Sequence, residues 1–144
     1  MAGKRSTVYS GDAITFTFAA MQIESGRGPD EFLRVEQQND DVSYAAGLDG
    51  EGVFNELLDR HTLVTCTLMQ TSAGNNLLSA YHVASKKAGV LPAPIYVEDR
   101  KGNSLFVSDA AVIKKTPDMT FGKESDVVTW EFLVHDPESF VGGH

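Results

Sequence analysis

A single cysteine, Cys66, among 144 residues leaves little room for sulfur chemistry. One thiol closes no intramolecular disulfide, and without further ligands at suitable spacing it holds no structural zinc. Cys66 alternates with Val64 and Leu68 on one side of its segment, which predicts a buried structural thiol. A reactive one belongs in an exposed site beside positive charge. Long apolar runs are also missing. Nothing approaches membrane-spanning length and no basic-then-apolar leader opens the chain, so it is expected to be soluble, made in the cytoplasm, and without a membrane partner. Positive charge is scarce, with 12 Lys and Arg against 20 Asp and Glu and a formal net charge of -8. Affinity for DNA comes mainly from cations that neutralise phosphates, so this balance argues against a DNA-gripping protein. It suits solubility, and equally a surface past which DNA slides without sticking.

Catalytic patterns are lacking as well. None of the four histidines stands at metal-ligand spacing from another. Asp40-Asp41 and Asp49-Gly50-Glu51 do not follow the calcium-loop order of alternating acids, Gly and a terminal Glu. Ser72, His82 or His135 and an Asp could form a triad on paper, but no Gly-x-Ser-x-Gly elbow accompanies them. Ser72 reads as a helix cap and His82 as a helix residue. The loop Ser25–Pro29 is not a phosphate cradle. No enzyme, cofactor or metal site is expected.

What is present is construction. The length predicts one domain, 1–144, able to bury about two thirds of its unfolded surface. Its centre is Gly47–Asn76. A turn at Asp49–Gly52 leads into a strand where Val64, Cys66 and Leu68 alternate with Thr65, Thr67 and Met69. Ser72 and Asn75 are candidate caps for a helix from Gly74 to Lys87, with Leu77, Tyr81, Ala84 and Ala88 as its apolar stripe and Gly89 as its stop.

Alternation predicts further strands at Ala13–Phe18, Met21–Glu24, Glu31–Gln38, Val42–Ala46 (Val42 and Tyr44 inward) and Val53–Leu57. Others follow at Ile95–Glu98, Ser104–Ser108 and Ala110–Lys115, and in a last strand where Val128, Trp130, Phe132 and Val134 face the core. Glu31–Leu57 should form a ribbon of two successive hairpins. Residues 1–12 read as an N-terminal arm, 47–62 as a long loop or hairpin, and 136–144 as a loose tail. About eight strands and one helix imply a mainly β fold, an antiparallel β-sandwich or partly closed barrel with one flanking α-helix.

Two surfaces stand out. Arg34, Glu36, Gln38 and Ser43, with Thr65, Thr67 and Glu131, oppose the apolar set and predict a polar face. Val53, Phe54, Leu57 and Leu58 put more apolar surface in 47–62 than an isolated loop should leave to water. Lys4 and Arg5 oppose an otherwise acidic body.

The order of several short motifs resembles the small tail-tube proteins of contractile-tailed bacteriophages. These are Gly47 to Glu51 (G-x-D-G-E), Asp59-Arg60, Thr65-x-Thr67-Leu68-x-Gln70-Thr71-Ser72 followed by Asn75 and Leu78, Pro117-Asp118, and Phe121-Gly122-Lys123-Glu124. They cover the middle and end of the chain. One departure is that a small residue and Gly usually follow the Asp-Arg pair, where this chain has His61 and Thr62.

The resemblance implies a structural virion protein assembled in the host cytoplasm. Its hexameric rings would stack on further copies of itself into a hollow tube, meeting sheath, baseplate and tail terminator proteins. Genomic DNA would pass through without specific binding during ejection. Under it Arg34, Glu36, Gln38, Ser43, Thr65, Thr67 and Glu131 line the channel, and Val53, Phe54, Leu57, Leu58, Lys4 and Arg5 join ring to ring. Tubes of related contractile injection or secretion systems share this architecture. A reading of another class is a monomeric β-sandwich that binds a ligand such as carbohydrate through Tyr9, Asp99 and Asn103. It needs an exposed aromatic platform, which a buried Trp130 does not supply.

Overall fold

Alternation along the chain produces ten strands and one helix among the described residues, which in this computed structural model are 13–23, 26–28 and 32–143. The strands are β1 (Ile14–Phe18), β2 (Met21–Gln22), β3 (Leu33–Gln37), β4 (Val42–Ala46), β5 (Gly52–Glu56) and β6 (Thr62–Met69). After the helix α1 (Gly74–Lys87) come β7 (Ala93–Asp99), β8 (Leu105–Ile113), β9 (Val127–His135) and β10 (Glu138–Phe140). One antiparallel sheet has the order β2-β1-β7-β8-β9-β6-β3, with β10 also paired to β8, while β4 and β5 pair only with each other. The mainly β, sandwich-like architecture with one helix is the expected one, and its sheet stays open.

The large sheet is curled. In hydrogen-bonded order β7 and β8 separate β1 from β9, so in a flat sheet the two would lie about 14 Å apart, at roughly 4.8 Å per strand. Yet the rings of Phe16 and Phe18 on β1 lie 5.7 and 4.8 Å from that of Phe132 on β9. The inner face therefore meets itself. It encloses Val64, Cys66, Leu68, Ile95, Trp130 and Val134, all buried.

Arg27 bridges β6 and β1, the strands next to the two ends of the sheet. Residues 26–28 run beside β6, Gly28 N–H donating to Thr67 O at 2.9 Å and Met69 N–H to Gly26 O at 2.6 Å. From there Arg27 Nη2 donates to Ile14 O of β1 at 2.7 Å, with its guanidinium 4.3 Å from the ring centre of Phe32. Only glycine fits at position 26, where φ is +68° and a Cβ would lie 2.3 Å from that of Ser72.

Helix α1 has the predicted span but docks one position round. Leu78 is fully buried and Tyr81 packs edge-on to Phe18 at 5.0 Å, whereas Leu77 is 43% exposed. One residue turns a helix by about 100°, so choosing Leu77 instead of Leu78 rotates the stripe off the core. Ala73 occupies the N-cap without a side-chain cap; Ser72 Oγ accepts from Gly74 N–H at 3.2 Å. Asn75 lies within the first turn, where its Oδ1 accepts from Trp130 Nε1–H at 3.0 Å.

Three other expectations are corrected. The two short strands expected over 104–115 are one strand, β8: along one edge β7 pairs with Leu105–Ser108 and, past a register shift, with Ala111, while along the other edge β10 pairs with Leu105–Val107 and β9 with Ala110–Ile113. The apparent break is where β10 gives way to β9. The tail is not loose throughout, because β10 pairs with Leu105–Val107. Of the two hairpins of the predicted ribbon only the second, β4–β5, forms: β3 pairs with β6, and β4–β5 stands off the sheet with Val42 and Tyr44, expected inward, at 54% and 60% exposure.

Candidate channel face and assembly surfaces

Register brings most of the predicted polar face together. Arg34 lies opposite Thr65 and Thr65 opposite Glu131, across β3, β6 and β9, so all three share the face turned away from the core. Glu36 on β3 and Thr67 on β6 belong to the same face by the two-residue period. Gln38 sits one residue beyond β3, and Ser43 lies on the separate hairpin opposite Asn55.

The face is mixed in charge. Arg34 Nε lies 3.8 Å from Glu36 Oε2, and Lys114 Nζ lies 3.6 Å from Glu131 Oε2. Sequence reasoning missed Lys114, which the backbone bond from its N–H to Glu131 O brings alongside β9. It also missed that Leu63 and Leu133, paired across β6 and β9, add apolar surface to this face. Both are legible from the alternation of their strands.

The predicted ring-joining residues project from one end of the sheet. Val53, Phe54 and Leu58 are 56%, 77% and 80% exposed, and Leu57 is half-buried. Tyr44 and Phe54 pack their rings at 5.3 Å across the hairpin and shield little else. Lys4 and Arg5 lie outside the described residues, as does Tyr9.

Below the hairpin His61 takes the place of the small residue expected after Asp59-Arg60. Asp59 Oδ1 accepts from His61 N–H at 3.3 Å and meets His61 Nδ1 at 2.8 Å, while Asp59 Oδ2 accepts from Asn39 Nδ2 at 3.0 Å. The side-chain bond to His61 is the main cause that holds the Asp59 carboxyl below its ordinary pKa. The departure from the family pattern is thus built into this elbow as a hydrogen-bonded ring.

Burial pushes the Cys66 thiol up to about 12, partly offset by Arg27, so it stays protonated and inert. Ser72 is buried beneath the helix start, and His82 meets Thr116 Oγ1 at 3.2 Å. Burial, then Lys86, lowers the pKa of His82. Among the described residues no three His, Cys, Asp or Glu side chains cluster as metal ligands, and no helix is long and apolar enough to cross a membrane. Asp99 Oδ1 accepts from Lys101 N–H within its own turn, at 3.2 Å, and Trp130, at 2% exposure, supplies no aromatic platform beside it.

A curled antiparallel sheet with a dry core, a wet outer face and an unsupported apolar hairpin defines a structural building block. The chain belongs to the bacteriophage PhiTE tail tube protein family, whose model matches residues 9–142. It is therefore a tail tube protein, a component of the virion, and its family is structural, not enzymatic. A solved structure with the same fold is the cap of the anti-feeding prophage, a tube-terminating cap. The two share 11% identity with a TM-score of 0.66 over 97% of this chain and 95% of that one. Among curated proteins nothing matches.

Proposed function

We propose that this chain forms hexameric rings that stack into the hollow tube of a contractile phage tail and conduct the genome into the host. The observation that carries the reading is the β4–β5 hairpin, whose ten strand residues are all exposed. An isolated two-stranded ribbon is marginal in water, and its apolar side chains gain stability only when another surface covers them. In a family of tube proteins the natural cover is another copy. Closed rings arise from heterologous contacts that close, and stacks from complementary ring faces. The six-fold count follows the family resemblance.

The β3-β6-β9 face supplies the channel wall in this reading, with Arg34, Glu36, Thr65, Thr67 and Glu131 towards the lumen and Gln38 and Ser43 at its margin. Its paired charges and the net charge of -8 leave DNA no cationic track, so the genome slides past without specific binding. Sheath, baseplate and tail terminator proteins are the further partners, with assembly in the host cytoplasm. Negative-stain images of concentrated protein test the reading: rings or rods support it and dispersed monomers refute it. Glu36→Lys should leave rods intact and slow genome delivery, measured as phage titre at equal particle number. Unchanged titre would remove Glu36 from the wall.

The fold shared with the anti-feeding prophage cap favours one alternative, a tube of a contractile injection system. Isolation of the particle that carries the chain decides between them, since a DNA-filled head belongs only to the phage.

A further inference from the structure

The two ends of the strands differ in a complementary way. At one end an apolar groove of about 330 Å³ opens between the unpaired sheet ends, lined by Ile14, Val35, Val97, Leu105, Phe140 and Val141. Val35 points to the core side of β3, yet is 41% exposed, because the groove leaves it uncovered; Phe140 and Val141 are 62% and 93% exposed. Thr62, the first residue of β6, also lines this groove.

At the other end, beyond the last residue of β6, residues 114–126 form a loop. Gln70 ties it at two points. Gln70 Nε2 donates to Thr120 O at 2.8 Å, Gln70 Oε1 accepts from Asp126 N–H at 3.0 Å, and the Gln70 backbone N–H donates to Asp126 O at 2.8 Å. A further tie fixes its start, where Thr116 Oγ1 accepts from Lys86 Nζ at 3.1 Å. On this held loop Met119 and Phe121 are 79% and 84% exposed. Ordering an apolar pair in water, with nothing to cover it, gains no burial. Its packing partner therefore lies outside the monomer.

Eight residues of β6 separate the two features, roughly 23 Å at about 3.3 Å per residue. A knob at one pole and a hole at the other cannot meet within one chain. They can meet between copies placed head to tail, the heterologous arrangement that makes stacks. We infer that the Met119–Phe121 knob of one copy seats in the Ile14–Phe140 groove of a copy in the next ring, as a ring-to-ring contact. The inference rests on the stacked-ring reading and assigns it residues that the hairpin argument does not use.

Size and charge agree with that occupant. A Phe side chain buries about 150–250 Å² and needs a pocket of this class. Asp118, exposed beside the knob, and Lys101, exposed on the turn that borders the groove, carry opposite charges across such a contact. The knob's exposure makes its substitution harmless to the monomer, because no core atom is lost.

The test uses the full chain. Met119→Asp with Phe121→Asp should give folded protein, with the unmodified melting temperature, that forms rings but no rods where the unmodified chain forms rods. A second variant pairs Phe121→Cys with Val141→Cys. Under mild oxidation its rods should yield a ladder of linked chains in denaturing gels, while each single variant gives none, Cys66 being buried. Normal rods from the double Asp variant, or no ladder, would overturn the contact while leaving the tube reading intact. Loss of rods only on removal of residues 1–12 would assign the groove to that segment and overturn it equally. If the unmodified chain forms no rods at all, the stacked-ring reading fails, and this contact with it.

Discussion

Trp130 shows how much one side chain carries here. It stands opposite Cys66 on the inner face, 2% exposed, and its indole N–H is satisfied by Asn75 Oδ1 at the start of the helix. Trp130→Ala removes that packing and leaves a cavity, for a loss of about 3–5 kcal/mol out of the ~5–15 that holds a domain together. Urea unfolding should record it as a large fall in midpoint; an unchanged midpoint would mean the indole is not a core residue. Asp59 acts by charge instead. Its pKa is lowered in the folded chain, so its stabilising bonds to His61 and Asn39 are present above the ordinary carboxylate pKa and are lost as the pH falls through its folded value. The protection of the His61 amide, its exchange rate relative to that of the unfolded chain at the same pH, should therefore fall in acid below that range, and Asp59→Ala should remove that protection at every pH. Protection at His61 that ignores both would show that Asp59 does not hold the elbow.

At the scale of elements, a long segment without regular structure is held by a few side chains. Residues 114–126 have no strand or helix of their own, and Gln70 ties them at both Thr120 and Asp126. Each such bond contributes about 1 kcal/mol net, small against the fold but large against a loop with little burial. Gln70→Ala should leave the melting transition within a few degrees and make tryptic cleavage at Lys114, Lys115 or Lys123 much faster. Equal cleavage rates would show that the loop is ordered by something other than Gln70. The contrast with β8 is physical. That strand keeps β7 along one edge and exchanges β10 for β9 along the other, and it stays continuous because both of its halves find backbone to pair with.

For the whole molecule, the distribution of apolar surface matters more than its amount. The core is closed, yet Phe54, Leu58, Met119, Phe121 and Val141 remain 77–93% exposed, gathered at the two poles and absent from the β3-β6-β9 face. Under the proposed stacking, these poles are the surfaces that another copy would cover. Phe54→Asp with Leu57→Asp should therefore give folded monomers or single rings by gel filtration and negative stain, since burying unpaired carboxylates in a ring contact is costly. Normal rods from that variant would place the hairpin in solvent and the stacking elsewhere.

The period-two patterns of β1, β6 and β9, the span of α1 and the buried Cys66 were legible in the sequence, because each depends on neighbours a few residues away that share one face. The polar set of Arg34, Thr65 and Glu131 was legible for the same reason. The local β4–β5 hairpin was legible too, but the longer-range pairings were not: that β3 leaves β4 for β6, or that the tail adds β10, depends on hydrogen bonds between residues 25 to 35 apart in the chain. The docking angle of α1 likewise required the curled sheet, since Leu77 and Leu78 are equally apolar and only the position of the core chooses between them. The sequence by itself determined the β character and the inward residues of β1, β6 and β9. Only the tertiary structure decided that the sheet curls and stays open, bridged by Arg27, and that the groove and the Phe121 loop fall at opposite poles, because closure and polarity are properties of the paired sheet and of no single segment.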